Sequence, residues 1–241
     1  MATIEGRNPV IEAIKNDREI DKIMIANSAK EGSIKKIIGM AKEKNIVIQY
    51  VDKHKLDEVS TSHSHQGVIA QVSEYKYWEL DELIESVKAK NEDPFFIILD
   101  EITDPHNLGS IIRTADAAGV DAIIALKGCV DIYNPKVIRS TMGSIFDMNI
   151  IQTTQDEAVD FLKANNFDIV SSYLHTESYY NETTYDGKIA LVIGNEANGI
   201  NDELISKSDK LVKIPIYGNA ESLNAAISAA ILMYEIKKYL V

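Results

Sequence analysis

The chain of 241 residues contains one cysteine, Cys129, and few side chains that could gather around a metal ion. A single cysteine excludes an intramolecular disulfide framework and leaves no cysteine cluster for structural zinc. The five histidines are scattered, and His63 and His65 have no cluster of potential ligands beside them in the sequence. We therefore predict a protein of a reducing compartment that holds no metal ion.

The sequence also lacks a long hydrophobic run. Its most apolar stretch, residues 225–234, is too short to span a bilayer, which takes about 20 residues. The first residues do not join a basic segment to an apolar one, as a secretory signal does. We expect no membrane segment and a cytoplasmic location.

Basic residues are in deficit, because 25 Lys and Arg stand against 37 Asp and Glu and give a formal net charge of −12. Taken alone, this charge disfavours a nucleic-acid partner, since phosphate binding is dominated by cations. Residues 1–73, however, carry 11 basic and 10 acidic side chains (+1), which leaves 14 basic and 27 acidic (−13) for the rest. We predict that a polyanion would meet this first third. Candidate phosphate contacts are Arg7, Lys35, Lys36, Lys42 and Lys44, with an ordinary solvated helix face as the alternative.

Alternating helical and strand patterns predict an α/β fold. In the first third, helices are predicted at 8–16, 32–44 and 53–59, and strands at 22–26, 46–51 and 68–72. The acidic stretch 74–94 contains one amphipathic helix, at 80–89, and is predicted to be a linker. We accordingly predict one domain at residues 1–73 and a second at 95–241.

The second domain has the pattern of a parallel sheet. Phe95–Leu99 is a continuous apolar run, which is typical of a fully buried parallel strand. Strands separated by helices predict right-handed parallel crossovers. Further strands are predicted at 122–126, 146–150, 168–172 and 189–193, and helices from the 103–109 loop through 117, at 134–143 and at 156–164.

The stretch Ile214–Ile231 is predicted to join a strand, a loop and a final helix. Ile214–Ile216 would close the apolar strand, and Ser222 stands where a helix N-cap is expected. One face of the helix is predicted to be buried because its apolar residues recur at helical spacing. These residues are Leu223, Ala226, Ile227, Ala230, Ile231 and Tyr234.

Three strand-to-helix loops are candidate ligand sites, since ligands of open parallel sheets bind beyond the carboxyl ends of the strands. The loops are 103–109, 194–199 and 218–224, and each contains asparagine. No strand is followed by G-x-G-x-x-G or by G-x-x-x-x-G-K-[ST]. The missing glycine fingerprints disfavour a nicotinamide oxidoreductase and a P-loop protein.

These loops resemble the three motifs of the TrmH (SpoU) family of RNA ribose 2′-O-methyltransferases. The similar segments are DPHNLGSIIRTA (104–115), LVIGNEANGI (191–200) and IPIYG…SLN (214–224). EGRNPVIEA (5–13) and HQGVIA (65–70) resemble the L30e-like RNA-binding domain of the RlmB branch of that family. The resemblance implies a knotted parallel-sheet (SPOUT, trefoil-knot) methyltransferase domain, preceded by a small α/β RNA-binding domain, and a homodimer with a shared site. Periodicity implies none of these features, and the general rule that chains do not thread through loops would argue against a knot.

The resemblance also implies a catalytic set, which is Asn107, Arg113, Glu196, Ser222 and Asn224. Since a guanidinium keeps its proton in proteins, we interpret Arg113 as a phosphate clamp rather than a base. Four of these residues have a plainer alternative: a surface pair with Asp116 for Arg113, a helix N-cap for Asn107 or Ser222, and a solvated loop carboxylate for Glu196.

For the cofactor, S-adenosyl-L-methionine, the resemblance implies contacts from Leu126, Gly194, Ile214, Ile216 and Leu223. Core packing is their alternative role, and the two roles are compatible. The implied activity is methylation of a ribose 2′-hydroxyl, in a guanosine of 23S rRNA. A tRNA target and a non-catalytic RNA-binding protein of the same fold remain alternatives.

Overall fold

A computed structural model describes residues 2–16, 18–60, 64–72, 78–88, 93–132 and 134–240. The chain forms two compact units, one of residues 1–76 with 131–147 and the other of residues 77–130 with 148–241. The boundaries 1–73, 74–94 and 95–241 remain a prediction. Parts of two predictions lie outside the described residues. They are residues 74–77 and 89–92 of the predicted linker, and residues 61–63, which include His63.

Ten strands alternate with nine helices in the described ranges. The strands are β1 Ala2–Glu5, β2 Ile20–Ala26, β3 Val47–Val51, β4 Val68–Val72, β5 Phe95–Leu99, β6 Ala122–Leu126, β7 Asn149–Thr153, β8 Asp168–Ser172, β9 Ile189–Ile193 and β10 Lys210–Val212. The helices are α1 Arg7–Lys15, α2 Ser33–Glu43, α3 Lys53–Val59, α4 Leu80–Lys88, α5 Pro105–Ala117, α6 Pro135–Thr141, α7 Gln155–Ala164, α8 Asp202–Ser206 and α9 Ala225–Lys237.

The first unit is built on a four-stranded sheet of order β1-β4-β2-β3. Strand β4 runs antiparallel to β1 and β2, whereas β3 runs parallel to β2. Helices α1 and α2 bury their apolar residues, among them Val10, Ile14 and Ile37. Helix α6 also packs in this unit, against β1.

The second unit is a six-stranded sheet of order β10-β8-β9-β5-β6-β7, and its adjacent strands are all parallel. The predicted α/β class with a parallel sheet is therefore confirmed. All residues of the central strands β5, β6 and β9 are buried, as expected for strands covered on both faces. Helices α4 and α7 pack on one face through residues such as Leu83 and Leu162. Helices α5 and α9 pack on each other, and α9 contacts β9.

Two strand predictions were wrong. The strand expected at 146–150 begins at Asn149, because Met142 and Gly143 take positive φ angles of 53° and 109° and a 3₁₀ turn follows at Ser144–Phe146. The strand expected to close at Ile214–Ile216 is β10, which ends at Val212. Pro215 has no backbone N–H to donate to a neighbouring strand, so this segment cannot continue the ladder normally. The prediction also missed α8.

The final helix differs from its prediction in start and orientation. Its N-cap is Asn224 rather than Ser222. Ile227 and Tyr234, which were predicted to be buried, are each 53% exposed. Helix α9 is apolar on nearly all sides, so spacing could not identify its inner face. The buried residues are Ala225, Ala226, Ala229, Leu232, Met233 and Ile236.

No helix in the described ranges is both long and apolar enough to cross a membrane. No three His, Cys, Asp or Glu side chains in these ranges are grouped so that they could hold a metal ion.

Candidate active site

Helix α5 begins after the five-residue loop 100–104 that follows β5, and it positions Asn107 in its first turn. Asp104 is the N-cap, because its Oδ1 accepts hydrogen bonds from the backbone N–H groups of His106 (2.7 Å) and Asn107 (2.9 Å). Pro105 occupies the first helical position, where its missing N–H is tolerated. Asn107 is therefore not the cap, and its side chain is free to bond elsewhere.

Asn107 lies in the middle of a hydrogen-bond chain that joins all three candidate loops. Asn224 Oδ1 accepts from Ala226 N (2.9 Å) and Ile227 N (3.3 Å), which identifies that atom as the oxygen. Asn224 Nδ2 therefore donates to Asn107 Oδ1, at 2.9 Å. The remaining end of Asn107, its Nδ2, donates to Glu196 Oε1. One protomer thus brings together three of the five predicted catalytic residues.

The loop that carries Glu196 is held by its own backbone. Asn195 and Gly199 exchange two backbone hydrogen bonds of 2.9 Å. Asn195 Oδ1 also accepts from the N–H groups of Ala197 (2.8 Å) and Asn198 (3.1 Å). At Gly194 an added Cβ would lie 2.4 Å from the carbonyl carbon of Gly199, so only glycine fits. Asn195 is not among the predicted site residues, although its place after a buried strand is a usable signal.

The loop that follows β5 is tied to the same region. Asn195 Nδ2 donates to Glu101 O at 2.8 Å, and Glu101 has a positive φ of 52°. The buried Asp100 accepts from Asn201 N through Oδ2 at 2.7 Å. The positive φ of Glu101 is a strained backbone conformation, and such strain persists where surrounding contacts fix it, as at ligand sites. The loops after β5 and β9 are thus cross-linked before any ligand arrives.

Beside the hydrogen-bond chain lies a cavity of about 670 Å³. This volume is within the range of small-molecule sites, roughly 300–1,000 Å³. Four predicted site residues line it, namely Gly194, Glu196, Ser222 and Leu223. Its other walls combine apolar and polar side chains: Leu174, Ile200, Ile205, Asp202, Glu221 and Ser228. The cavity could therefore take a ligand with both an apolar part and several hydrogen-bond donors.

A fourth loop contributes to the cavity and was missed by the sequence analysis. Tyr173, Leu174 and His175 follow β8 and line the cavity. The rings of Tyr173 and His175 meet edge to face with centroids 5.4 Å apart. Because β8 is the neighbour of β9, its carboxyl end opens at the same edge of the sheet. Only the strand order, which the sequence did not predict, reveals this.

Three of the predicted cofactor contacts lie elsewhere. Leu126 is buried at the end of β6, and Ile214 and Ile216 are half-buried beyond β10; none of the three lines the cavity. Ser222 is exposed on the cavity wall and is not the helix cap.

Arg113 is exposed on α5, and no described residue, Asp116 included, forms a hydrogen bond or ion pair with it. It is six residues beyond Asn107, which in a helix corresponds to about 9 Å along the axis and about 120° around it. Arg113 and the hydrogen-bond chain therefore occupy different faces of α5.

The lone cysteine is close to the loop after β5 but is chemically quiet. Cys129 Sγ donates to Leu99 O at 3.3 Å. Burial raises the pKa of the Cys129 thiol to about 11, so it carries no thiolate at neutral pH. A cysteine nucleophile is not part of this site.

The SpoU rRNA Methylase family matches residues 94–234, which contain all of the site residues above. The chain belongs to the SpoU rRNA methylase family. This SpoU family member is an enzyme, an RNA methyltransferase, and the resemblance found in the motifs is confirmed at the level of the family. Residues 3–78 match the family described as RNA 2′-O ribose methyltransferase substrate binding. The expectation of an N-terminal substrate-binding domain is thereby confirmed as well.

Similar proteins extend over the whole chain. YacO of Bacillus subtilis (strain 168), assigned to the TrmH family of tRNA/rRNA methyltransferases, is 39% identical over 96% of this chain and 93% of its own length. The AdoMet-bound rRNA methyltransferase from Sinorhizobium meliloti superposes with a TM-score of 0.82 at 26% identity. The match covers 100% of this chain and 88% of that enzyme's chain. The TrmH/SpoU tRNA modifying enzyme of A. aeolicus has a TM-score of 0.54 and 27% identity, and covers 66% of this chain and 83% of its own.

Proposed function

We propose that this RNA methyltransferase transfers the methyl group of S-adenosylmethionine to a ribose 2′-hydroxyl, in a guanosine of 23S rRNA. The observation that carries the proposal is the hydrogen-bond chain from Asn224 through Asn107 to Glu196, which joins the three motif loops beside the 670 Å³ cavity. The Sinorhizobium meliloti relative, an AdoMet-bound rRNA methyltransferase, supports the cofactor.

The cavity suits S-adenosylmethionine chemically. The backbone of Gly194 and the side chain of Leu223 offer a flat and apolar wall to the adenine ring or to the methylene stem of the methionine part. The carboxylates of Glu221 and Asp202 offer acceptors to hydroxyl and ammonium groups. When bound, the cofactor supplies an electrophilic sulfonium methyl group. Ile214, Ile216 and Leu126 are proposed as further contacts, on the resemblance of their motifs.

Glu196 and its partners position the ribose. Asn107 occupies Oε1 of Glu196, and no described residue donates to Oε2, so this oxygen is available to accept a hydrogen bond from a ribose hydroxyl. Ser222, exposed on the cavity wall, can donate to a second RNA group. Because positioning provides much of the acceleration of such a transfer, side chains with fixed orientation are more useful here than mobile ones.

Arg113 is proposed to clamp the phosphate beside the reacting ribose. Its planar fork suits two phosphate oxygens, and its freedom from partners in the described ranges leaves the fork available. Because it occupies a different face of α5 from Asn107, we propose that it acts in the site of a partner protomer of a homodimer. The exposed apolar side chains of Ile227 and Tyr234 on α9 support such an association. We also propose that the methyltransferase domain forms a trefoil knot, as the resemblance of its motifs implies.

A tRNA target is the second candidate, because YacO is assigned to a family of tRNA/rRNA methyltransferases. The N-terminal unit favours rRNA. The rRNA methyltransferase of Sinorhizobium meliloti covers 100% of this chain, whereas the tRNA modifying enzyme of A. aeolicus covers 66%.

Mapping of ribose methylation in total RNA tests the proposal. In a strain that lacks the gene, one guanosine of 23S rRNA should lose its methyl group. The wild-type gene should restore it, and a gene that encodes Glu196→Gln should restore little of it. A lost methyl group in tRNA, with 23S rRNA unchanged, would show that the tRNA alternative is right.

A further inference from the structure

The two motifs of the first unit, EGRNPVIEA and HQGVIA, come together although about sixty residues separate them. Arg7 N donates to Gln66 Oε1 at 3.1 Å, and Arg7 Nε donates to the backbone oxygen of Gln66 at 3.2 Å. Gly6 N donates to Val68 O at 3.2 Å. The helix N-cap, Gly6, has no side chain to satisfy the first turn of α1, and the amide oxygen of Gln66 does so instead. The proposed methyl-transfer chemistry uses none of these contacts.

The loop 64–67 holds a strained shape that its neighbours enforce. Gln66, which is not glycine, has a positive φ of 51°, and an added Cβ on Gly67 would lie 2.9 Å from the Cβ of Ala29. Gly67 N donates to Nδ1 of the buried His65 at 3.0 Å, so the ring proton is on Nε2, which contacts Asp57 Oδ1 at 2.9 Å. Non-glycine residues with such left-handed backbone angles cluster at ligand sites.

This loop is one wall of a cavity of about 910 Å³, which Arg7, Ser28, Lys53 and Asp57 also line. Arg7 Nη1 donates to Glu31 O at 3.4 Å, so two backbone carbonyls hold the guanidinium in place. In the described part of the chain, Arg7 Nη2, Gln66 Nε2 and Lys53 Nζ have no hydrogen-bond acceptor.

The single carboxylate in the lining is already engaged. The hydrogen bond from His65, with a smaller contribution from the nearby charge of Lys53, holds the pKa of Asp57 below its usual value, so Asp57 stays ionised. Its Oδ1 contacts His65, and in the described part of the chain neither Arg7 nor Lys53 forms a hydrogen bond with it. Unused donors on two cations and an amide therefore face one cavity, in a chain whose net charge is −12. Such a donor set matches a phosphodiester and the polar groups of its nucleotide.

We infer that Arg7, Lys53 and the Gln66 amide form a pocket for one phosphate of the substrate RNA and its adjoining nucleotide. The inference rests on the proposed function only in taking RNA as the ligand. Arg7 is the fixed fork, Lys53 adds a mobile charge, and the Gln66 amide donates to the sugar or the base. The N-terminus of α1 is not the binding element, since Gln66 already accepts from Arg7 N.

Two variants of the full-length protein test the pocket, each with a matched control. Lys53→Ala removes a charge at the cavity, and Lys55→Ala removes one from an exposed residue of the same helix that does not line it. Gln66→Glu keeps the acceptor for Arg7 N but replaces the amide donor with a negative charge. Gln49→Glu adds the same charge on exposed β3.

Binding to an unmodified transcript of large-subunit rRNA is measured by filter binding over a range of salt concentrations, and binding to S-adenosylmethionine by calorimetry. We expect Lys53→Ala and Gln66→Glu to weaken rRNA binding about fivefold or more, with a flatter salt dependence for Lys53→Ala, because one phosphate contact is lost. Both controls should bind rRNA within about twofold of wild type. All four variants should bind S-adenosylmethionine as wild type does.

The two proposals fail in different ways. If wild type binds both ligands and the two pocket variants bind rRNA as tightly as their controls, the pocket is refuted and the proposed function stands. If wild type does not bind S-adenosylmethionine while the pocket variants lose rRNA affinity, the proposed function is refuted and the pocket stands. Wild-type protein that does not bind rRNA would refute both.

Discussion

Single residues in the second unit have two tasks, and Asn224 is the clearest case. Its Oδ1 caps α9, while its Nδ2 orients Asn107 and, through it, Glu196. A substitution that removes the whole side chain would affect stability and catalysis together. A substitution that keeps the cap alone would separate the two tasks.

Serine at position 224 makes that separation. A serine hydroxyl caps a helix about as well as an asparagine side chain but has no second group to reach Asn107. We expect Asn224→Ser to leave the free energy of unfolding within about 0.5 kcal/mol of wild type, and Asn224→Ala to lower it by about 1 kcal/mol. Both should lose most methyl-transfer turnover. Urea unfolding and single-turnover assays check this, and full activity in Asn224→Ser would show that the link to Asn107 is dispensable.

Residue types in the sequence indicated many of these site residues but not the hydrogen bonds that join them. Asn107, in the first turn of a helix, and Glu196 and Asn224, in loops, all come after parallel strands, whose carboxyl ends meet at one edge of a sheet. Ser222 and Asn224 are both good N-caps and stand two residues apart, so composition could not decide between them. The contribution of Tyr173 and His175 depends on the pairing of β8 with β9, which no local pattern encodes.

Among the elements, helix α7 shows how local chemistry determines a boundary. Thr154 caps the helix and Glu157 bonds back to it, which is a complete capping box. The hydrogen bonds from Thr153 and Thr154 lower the pKa of Glu157 to about 2. The start of α7 was predicted within one residue, whereas the buried face of α9 was predicted wrongly. A capping box is local information, but the inner face of an all-apolar helix is decided by what packs on it.

The low pKa of Glu157 predicts a pH dependence of stability. A carboxyl whose folded pKa is depressed contributes stability above its unfolded pKa, and that contribution is lost as the pH falls through the folded value. For Glu157 the window runs from about pH 4.5 down to about pH 2. The melting temperature of wild type should thus fall more steeply through this window than that of Glu157→Gln, while at pH 7 wild type should be the more stable. Thermal melts followed by circular dichroism measure both, and parallel curves for the two proteins would contradict the prediction.

At the scale of the whole molecule, the net charge was a poor guide to RNA binding, whereas the distribution of charge along the chain was a better one. A net charge of −12 argues against RNA, yet the nearly neutral first third is the segment that matches a substrate-binding family. Fold class and the order of most elements followed from the sequence because buried parallel strands have local signatures, whereas the family followed from the resemblance of three loop motifs. The grouping of residues 131–147 with the first unit has no such signature.

The proposed homodimer leads to a test by complementation. If Arg113 of one protomer completes the site formed by Asn107, Glu196 and Asn224 of its partner, each active site draws on two chains. Arg113→Lys should abolish most turnover, because a point charge cannot replace a bidentate fork, and Glu196→Gln should do the same. In a heterodimer of the two variants, one site carries both substitutions and the other carries neither.

Equal co-expression of the two variants with different affinity tags should therefore restore activity. With random pairing half of the dimers are mixed, and half of the sites in them are intact, so about a quarter of wild-type activity per site is expected. The doubly tagged fraction, purified in sequence on both tags, should reach about half. Each variant expressed alone is the control. A doubly tagged dimer as inactive as either parent would mean that Arg113 and Glu196 act within the same protomer, and Arg113 would then have to reach the chemistry from its own face of α5.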